Sequence, residues 1–467
     1  MQKFHLTQQS YPNQRPSTLR RNDFAEIYES YSALKAAEQS ERCLQCGVPF
    51  CSNHCPLSNN IPDWLRAVAE GNMLDAYHIS SATNNFPEIC GRVCPQDKLC
   101  EGNCVVESGF GSITIGSVEK YITDTAWNEG WVQPFAPSNE RKQSVGIIGA
   151  GPAGMAAAEQ LRKYGLQVHI YDRYDRAGGM MIYGIPNFKL EKDIVQRRAQ
   201  QFADSGIIFH FGVRVGENYA LADLQKNHDA VLIATGVYHA RNLGIEGDNL
   251  HGAHQALPYL TQSTREILGD AVEQHINANG RDVVVIGGGD TAMDCVRTAI
   301  RQGAKSVRCL YRRTRDNMPG SAREVQNAMD EGVIFEWLTS PVRLLADAND
   351  NTNIASIEVQ NMQLSASNTH SQRRDVMAIQ GSNRIINTSM VITALGFEAE
   401  DLPTIFNAPE LELRNSGTLR INHHNMMTSL DGVFAAGDII RGSSLVVWAI
   451  ADGRAASEHI IRYINAK

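Results

Sequence analysis

The sequence predicts an α/β protein in which two Rossmann-like nucleotide-binding domains follow a small α-helical domain. A strand, glycine turn, helix and strand pattern begins near residue 144 and returns about 140 residues later, which predicts the pair of nucleotide-binding domains. A block of eight cysteines before residue 105, set among segments with apolar residues at helical spacing, predicts the helical domain. A chain of 467 residues is too long for one compact core, so about three domains are expected.

The composition argues against two classes of partner. The formal net charge is −8, whereas proteins that bind nucleic acid need a basic face to neutralise phosphates. No segment approaches the roughly 18 consecutive apolar residues of a membrane span, and the first residues, MQKFHLTQQSYPNQRPSTLRRN, lack the apolar run of a signal peptide. We therefore expect a cytoplasmic protein that has neither a nucleic-acid nor a membrane partner.

Residues 1–140 are predicted to form the helical domain, and its cysteines are the candidate metal ligands. They come as two runs: Cys43, Cys46, Cys51 and Cys55, then Cys90, Cys94, Cys100 and Cys104. Cys55 and Cys94 each precede a proline, and thiolate runs that end in Cys-Pro are typical of segments that bind [4Fe-4S] clusters. Structural zinc sites more often use two separated pairs of ligands, and cytosolic thiols rarely form disulfides. The pattern therefore favours iron–sulfur clusters over zinc or disulfides.

The order of the cysteines predicts which of them share a cluster, because the last cysteine of such a run often binds the other cluster. One cluster is therefore assigned to Cys43, Cys46, Cys51 and Cys104. The second is assigned to Cys55, Cys94 and Cys100. Its fourth ligand stays open, since Cys90 is available but lies only four residues before Cys94. The remaining cysteines, Cys295 and Cys309, fall in an apolar helix and strand and are predicted to be core residues.

The first nucleotide-binding pattern is SVGIIGAGPAGMAAAEQLRKYGLQVHIYD. Its first two glycines allow a tight turn and the close approach of a pyrophosphate, and the third lets helix and strand pack closely. The helix N-terminus supplies free amides and the positive end of the helix dipole. An aspartate ends the second strand, where it would accept hydrogen bonds from ribose hydroxyls. The candidate contacts are Gly149, Gly151, Pro152, Ala153, Gly154 and Asp172.

The second pattern, RDVVVIGGGDTAMDCVRTAIRQGAKSVRCLYRR, ends in an arginine pair instead of an acid. Arginine donors suit a ribose 2′-phosphate, so this site should prefer NADP to NAD. An exposed arginine pair with no ligand is the alternative interpretation. The candidate contacts are Gly287, Gly289, Asp290, Thr291, Ala292, Arg312 and Arg313.

The first site should then hold a different dinucleotide, and two further segments favour FAD. Gly178 and Gly179 follow the acidic residue closely and are expected to approach the cofactor. Near the C-terminus, Gly437 and Asp438 lie between a strand and a helix, where the aspartate could meet the ribityl chain. Matching strand ends at AVLIATG and MVITALG indicate an inserted domain. The predicted FAD domain is therefore discontinuous, 141–280 and 397–467, with the NADPH domain at 281–396.

The order of these motifs resembles that of the small (β) subunits of bacterial NADPH-dependent glutamate synthases. The motifs that carry the resemblance are GRVCPQDKLCEGNC, IGAGPAG, GIPNFKLEK, GGGDTAMDCVRTAIRQGAK, YRRTRDNMPGS and AAGDIIRGSSLVVWAIADGR. The resemblance implies a glutathione-reductase-like pair of domains with FAD, NADPH and two [4Fe-4S] clusters. In the related dihydropyrimidine dehydrogenase, a segment similar to SITIGSVEKY supplies a non-cysteine cluster ligand. The matching position is Glu119, which we favour slightly over Cys90 as the fourth ligand.

The function that the resemblance implies is electron input to a partner. NADPH would be oxidised at FAD, and the clusters would pass electrons to a large subunit carrying FMN, which forms L-glutamate from L-glutamine and 2-oxoglutarate. Cofactors carry this chemistry, so no catalytic acid, base or nucleophile is expected, although Lys189 and Glu324 could contact cofactors near the hydride path. The alternatives are the same flavoprotein serving another partner, such as dihydropyrimidine dehydrogenase or a ferredoxin, and a zinc-stabilised binding module on an inactive reductase scaffold.

Overall fold

A computed structural model describes residues 1–272, 275–365 and 375–467. The N-terminal region is helical, as predicted. Its helices are α1 Ser17–Arg20, α2 Ala33–Ser40, α3 Phe50–Asn53, α4 Ile61–Ala69, α5 Met73–Thr83, α6 Pro87–Val93, α7 Glu107–Phe110 and α8 Ile115–Asn128, with a 3₁₀ turn at Gln96–Lys98. Helix α4 starts with a proline in its first turn and buries Trp64, Leu65 and Val68, so its amphipathic pattern faces the core of this domain.

The first α/β unit is built on a parallel sheet in the order β16-β4-β1-β2-β3. Its strands are β1 Ser144–Ile148, β2 Gln167–Asp172, β3 Ile208–Phe211, β4 Ala230–Ile233 and β16 Val433–Ala435. The apolar runs of β1 and β4 are buried on both faces, as expected of central parallel strands. Because β16 comes from the far end of the sequence, this unit is discontinuous.

The second α/β unit has a parallel sheet in the order β6-β14-β7-β8-β9. Its strands are β6 Ala253–Gln255, β7 Asp282–Ile286, β8 Ser306–Tyr311, β9 Ile334–Trp337 and β14 Met390–Thr393. An antiparallel layer adjoins it, formed by β10 Thr339–Ala346, β11 Ile354–Leu364, β12 Val376–Ala378 and β13 Arg384–Asn387. Cys295 and Cys309 are fully buried in this unit's core. The N-terminal helices and the two parallel sheets confirm the predicted fold class.

Helices cover and connect the sheets of both units. They are α9 Pro152–Lys163, α10 Met180–Tyr183, α11 Lys192–Asp204, α12 Leu221–Asn227, α13 Ala256–Ile267, α14 Asp290–Arg301, α15 Ala322–Asp330, α16 Leu402–Ile405, α17 Asp438–Arg441 and α18 Val446–Ala466, with a 3₁₀ turn at Arg315–Asn317. Helices α9 and α18 pack so closely that a Cβ atom at Gly453 would lie 2.1 Å from the Ala153 carbonyl oxygen. None of the helices in the described ranges is long and apolar enough to span a membrane.

The chain passes between the two units at a short antiparallel pair, β5 His239–Ala240 with β15 Phe397–Glu398. Strand β6 and helix α13 lie before residue 281, yet β6 pairs with β14 inside the second sheet. The second unit therefore takes up chain on both sides of its glycine motif, starting soon after β5.

Buried charges join the N-terminal domain to the second unit. Glu331, which is fully buried, receives hydrogen bonds from Arg297 and Arg301 at 2.6–3.0 Å. Arg20 reaches it from the N-terminal domain, with its Nε 3.0 Å from a Glu331 oxygen. Burial opposes the Glu331 charge, but the hydrogen bonds of its arginines outweigh this and lower its pKa to about 2. The contact fixes the helical domain against the second unit.

Candidate flavin, nicotinamide and iron–sulfur sites

One cleft, with an empty volume of about 1290 Å³, is lined by residues from all three parts of the chain. Gly151 and Asp438 reach it from the first α/β unit, and Asp290 and Thr291 reach it from the second. Cys94 reaches it from the N-terminal domain. The cleft lies at the carboxyl ends of the parallel strands, where α/β sheets generally bind ligands.

The first glycine turn has the geometry that a dinucleotide requires. Gly149 has a φ of +108°, and a Cβ atom there would lie 2.4 Å from the Ala234 carbonyl oxygen. Gly154 is equally crowded, because its Cβ atom would lie 2.0 Å from the Gly149 oxygen. At Gly151, by contrast, a Cβ atom would meet no described heavy atom within 4 Å. The turn thus leaves an open approach at Gly151, directly before helix α9 starts at Pro152, and its residues fit a pyrophosphate.

Asp172 lies at the end of β2 beside this turn. Its carboxylate accepts hydrogen bonds from the backbone N–H of Ala150 at 2.6 Å and of Tyr174 at 2.8 Å. Burial raises its pKa, and these two hydrogen bonds work against that rise. Asp172 also lines both the main cleft and a neighbouring pocket with Tyr238, which extends the site beyond the glycine turn.

The C-terminal segment also lines the cleft, beside the first glycine turn. Gly437 adopts a φ of +81° and packs against Ala153, where an added Cβ would lie 2.9 Å from the Ala153 Cβ. Asp438 accepts a hydrogen bond from Ser444 Oγ at 2.6 Å, and burial raises its pKa. Helix α18 begins just beyond at Val446, which also lines the cleft.

Gly178 and Gly179 support the glycine turn itself. Gly178 N–H donates to the Ala150 carbonyl at 2.8 Å, and a Cβ atom at Gly179 would lie 2.9 Å from Gly151 Cα. Both have positive φ, 123° and 53°. These contacts bring the segment after β2 against the place where a pyrophosphate would sit.

The second glycine turn repeats the geometry of the first. Gly287 has a φ of +150°, and its added Cβ would lie 2.3 Å from the Ala394 oxygen. A Cβ atom at Gly289 would again meet no described heavy atom within 4 Å, and Ala292 is fully buried in helix α14. Asp290 Oδ1 accepts the backbone N–H of Ser321 at 3.0 Å. The residues of this turn also fit a dinucleotide pyrophosphate.

Arg312 and Arg313 directly follow β8, away from the residues that line the main cleft. Arg312 is exposed and Arg313 is half-buried. This position at the end of the second strand of a glycine-turn unit is where a ribose 2′ substituent is recognised.

Lys189 lines the cleft where the two α/β units meet. Its Nζ donates to Asp294 Oδ1 at 2.8 Å and lies 3.6 Å from Glu324 Oε2. Burial disfavours the Lys189 cation, but the two carboxylates outweigh this and raise its pKa. Burial also raises the pKa of Asp294, to about 6. Glu324 is buried and pairs with Arg297 at 2.6 Å, so it is part of the buried charge network.

The first set of cysteines shares one small apolar cavity. A cavity of about 360 Å³ is lined by Cys43, Cys46, Cys51 and Cys104 together with aliphatic side chains. Burial raises the pKa of Cys51 to about 12, and the neighbouring Cys104 and Cys43 add to that rise. The structure therefore brings together the four cysteines that were assigned to one cluster. A metal would have to displace their protons, as thiolate ligands require.

The second set of cysteines reaches the cleft through Cys94, which lines it. A hydrogen bond with Cys90, followed by burial, raises the pKa of Cys94. Burial raises the pKa of Cys55 to about 11, and Glu119 and Cys90 add to it. For Cys100, burial is again the largest cause, with Glu119 and Cys55 among its charged neighbours. Glu119 is thus a neighbour of all three cysteines, and Cys90 is a neighbour of Cys55 and Cys94.

Helix packing explains how Glu119 reaches this set. Helices α6 and α8 meet at Gly91, where an added Cβ would lie 2.7 Å from Lys120 N. Glu119 Oε1 accepts hydrogen bonds from Asn59 Nδ2 and Asn84 Nδ2, both at 3.1 Å, and burial raises its pKa to about 8. Both of these hydrogen bonds end on the same oxygen, Oε1. Within the described ranges, no three His, Cys, Asp or Glu side chains are placed to hold a single metal ion.

Two family models match the chain. Residues 20–131 match the model described as dihydropyrimidine dehydrogenase domain II, 4Fe-4S cluster. Residues 143–453 match the model described as pyridine nucleotide-disulphide oxidoreductase. These matches divide the chain where the helical domain gives way to the first α/β unit.

Known proteins match over nearly the whole chain. The glutamate synthase [NADPH] small chain of Azospirillum brasilense is 56% identical over 469 aligned residues, which cover 99% of this chain and 96% of the relative. The chain belongs to the glutamate synthase small-chain family. The glutamate synthase [NADPH] small chain of Halomonas elongata is 42% identical over an alignment that covers 97% of this chain and 96% of the relative.

A solved structure shares part of this chain's fold. The NADPH complex of FprA from Mycobacterium tuberculosis has 19% sequence identity and a TM-score of 0.58, covering 70% of this chain and 85% of FprA. At that identity the likeness concerns the fold alone. The family models add that the small chain contains a 4Fe-4S domain and an FAD and NAD(P) binding region. This confirms the iron–sulfur interpretation of the cysteines over zinc and disulfides.

Several residues of the small chain's sites are absent from the sequence-based candidates. Asn59 and Asn84 hold Glu119, and Thr235 and Tyr238 line the cleft after β4. The strand end AVLIATG could have indicated Thr235, because residues that follow a parallel strand lie at the ligand-binding edge. The two asparagines carry no such local signal.

Proposed function

We propose that this chain is the electron-input subunit of a glutamate synthase. It oxidises NADPH at FAD and delivers electrons through two [4Fe-4S] clusters to a large subunit, which forms L-glutamate from L-glutamine and 2-oxoglutarate at FMN. The observation that carries the proposal is the shared cleft, since Gly151, Asp290 and Cys94 line the same space. When bound, FAD supplies the exchange between two-electron oxidation of NADPH and one-electron reduction of the clusters.

The first α/β unit holds FAD. Gly149, Gly151, Pro152, Ala153 and Gly154 form the pyrophosphate turn, with Gly178 and Gly179 behind it. Asp172 binds a ribose and Asp438 meets the ribityl chain, while the N-terminus of α18 stabilises negative charge on the flavin. The buried surroundings of these residues support this role, because they exclude water from the reacting centre.

The second α/β unit holds NADPH, and its range is about 241–396. Gly287, Gly289, Asp290, Thr291 and Ala292 form its pyrophosphate turn, and Arg312 and Arg313 bind the 2′-phosphate. Lys189 and Asp294 orient the two bound dinucleotides where the units meet, since both line the cleft beside Thr291.

The helical domain holds two clusters. Cys43, Cys46, Cys51 and Cys104 bind one, and Cys55, Cys94, Cys100 and Glu119 bind the other, with Cys90 as the alternative to Glu119. The two amides on Oε1 support Glu119, because they hold its other oxygen in place. The cluster with Glu119 lies nearer to the flavin, because its ligand Cys94 lines the cleft. The other cluster lies next to it, because its ligand Cys51 is a neighbour of Cys100.

The metal and flavin content of anaerobically purified protein tests this function. About eight iron and eight sulfide per FAD, with the visible spectrum bleached by NADPH at a much lower concentration than by NADH, is the expected result. Zinc without sulfide, or no reduction by NADPH, would contradict the proposal. Adding the large subunit then tests the partner: glutamate formation from NADPH supports it. Reduction of ferredoxin with no glutamate formed would assign the same flavoprotein to another partner.

A further inference from the structure

A side-chain amide contacts a sulfur of the first cysteine set. Gln45 lies between Cys43 and Cys46, and its Nε2 donates to Cys43 Sγ at 3.3 Å. The same Nε2 donates to the Pro62 carbonyl at 2.7 Å, and the Gln45 backbone N–H also points to Cys43 Sγ, at 3.5 Å. The carbonyl of Pro62 thus anchors one amide hydrogen and directs the other at the thiol.

The backbone of Gln45 is in a conformation that favours glycine. Its φ is +54°, in the left-handed region that residues with a Cβ rarely adopt. A glycine would relax this turn, but it would remove both side-chain hydrogen bonds. The strained turn is what points the amide of Gln45 toward Cys43.

We propose that Gln45 is a positioning residue that raises the reduction potential of the cluster held by Cys43, Cys46, Cys51 and Cys104. The inference rests on the proposed function, which places a cluster there. Reduction adds one electron to that cluster, drawn from NADPH by way of FAD, and Gln45 exchanges neither electron nor proton. The added electron makes the cluster sulfurs more negative, so a donated N–H stabilises the reduced form more than the oxidised form.

The surroundings strengthen this effect. Cys43 is buried, and Leu65 and Ile113 line the same apolar cavity. A hydrogen bond in such a low-dielectric environment is electrostatically stronger than one in water. The Gln45 amide is therefore placed where one neutral donor changes the free energy of reduction measurably.

Two substitutions separate the donor from the backbone. Gln45→Met keeps the strained φ and a side chain of similar length but removes the donor, whereas Gln45→Gly removes the donor and relaxes the turn. Gln2→Gly is the matched control. Gln2 also has a positive φ, 65°, and lies beside Cys43, but its Nε2 donates to the Leu44 carbonyl instead of a sulfur.

Potentiometric titration of the anaerobic holoprotein, followed by electron paramagnetic resonance, provides the readout. We expect both Gln45 variants to keep their iron and sulfide and to lower the midpoint potential of one cluster signal, with the other unchanged. A tenfold change in that one-electron equilibrium corresponds to about 59 mV. Gln2→Gly should leave both signals in place.

Other outcomes would overturn the inference. Gln45 variants with full iron and unchanged potentials would show that the amide does not act on the cluster. Loss of iron from both variants would assign Gln45 to cluster assembly. A wild-type protein without clusters would overturn the proposed function as well. If the wild type holds its clusters and the Gln45 substitutions leave the cluster potential unchanged, this inference alone is overturned.

Discussion

The same added methyl group should have opposite effects at two glycines of one turn. At Gly151, which has ordinary extended dihedrals (φ −78°, ψ −178°), a Cβ atom would meet no described heavy atom within 4 Å. Gly151→Ala should therefore fold, and the FAD-free protein should be as stable as the wild type or up to about 1 kcal/mol more stable. At Gly154 the added atom would lie 2.0 Å from the Gly149 oxygen, so Gly154→Ala should lose about 1–3 kcal/mol or more.

Gly151→Ala should impair flavin binding although it does not reduce stability. In the proposed site the pyrophosphate approaches the backbone through the open space at Gly151, so Gly151→Ala should weaken FAD binding at least about tenfold, or about 1.4 kcal/mol. Flavin released on denaturation measures the bound FAD, and chemical unfolding of the FAD-free proteins measures stability. A Gly151→Ala protein that retains one FAD per chain would refute the assignment of this turn. A Gly151→Ala protein that unfolds well before wild type would refute the geometric reasoning.

The remaining predictions concern the other sites. Alanine at Arg312 or Arg313 should raise the KM for NADPH about tenfold and leave NADH kinetics unchanged. Tenfold corresponds to the low end for a hydrogen bond to a charged group, because the site is partly exposed. An equal effect on both nucleotides would contradict 2′-phosphate recognition. Cys94→Ser should lower the iron content from about eight to about four per chain while flavin is kept, and full iron content would remove Cys94 from the ligands. Glu331→Gln leaves three buried arginines without their carboxylate and should cost about 3 kcal/mol of unfolding free energy, measured by denaturant titration; a cost near zero would show that the network contributes nothing. The pKa of Glu331 is lowered to about 2 from a usual value of 4.5, so its contribution to stability is present above about pH 4.5 and is lost as the pH falls toward 2. Glu331→Gln should therefore flatten the acid side of a profile of melting temperature against pH. An unchanged profile would show that Glu331 is not the source of the acid sensitivity.

The parts of the site that the sequence predicts are those fixed by local chemistry. The glycines of both turns could be predicted because the strand, glycine and helix pattern lies within a short run of residues. The backbone that crowds Gly149 and Gly287 comes from distant strand ends, at Ala234 and Ala394. The discontinuous first unit also follows from the sequence, since its two halves carry separate strand and turn signals. The grouping of the cysteines into two clusters is a prediction from their order, and the structure places Cys104 at one cavity with the first three cysteines.

What the sequence does not reveal depends on contacts between distant segments. Asn84 lies 35 residues before Glu119, and its amide meets that carboxylate because the segment between α5 and α6 packs against α8. Strand β6 joins the second sheet by pairing with β14, nearly 140 residues later, so its place is a matter of tertiary structure. The sequence around Arg20 does not indicate burial. In the structure Arg20 is buried beside Glu331, where it forms part of the contact between the domains. None of these features has a periodic or motif-like pattern.

The segment after Pro319 connects the nicotinamide turn to the iron–sulfur domain. Ser321 N–H donates to Asp290 at the start of α14, and Arg323 Nη2 donates to Gln96 Oε1 at 2.7 Å. Gln96 Nε2 in turn donates to the Cys90 and Gly91 carbonyls at 3.2 and 3.1 Å. Rotation of the second unit away from the helical domain would break this chain of hydrogen bonds and the Arg20 contact together. The cleft that unites both glycine turns with Cys94 is therefore held from the side of the helical domain, so one arrangement of the domains keeps Cys94 and both turns around the same space.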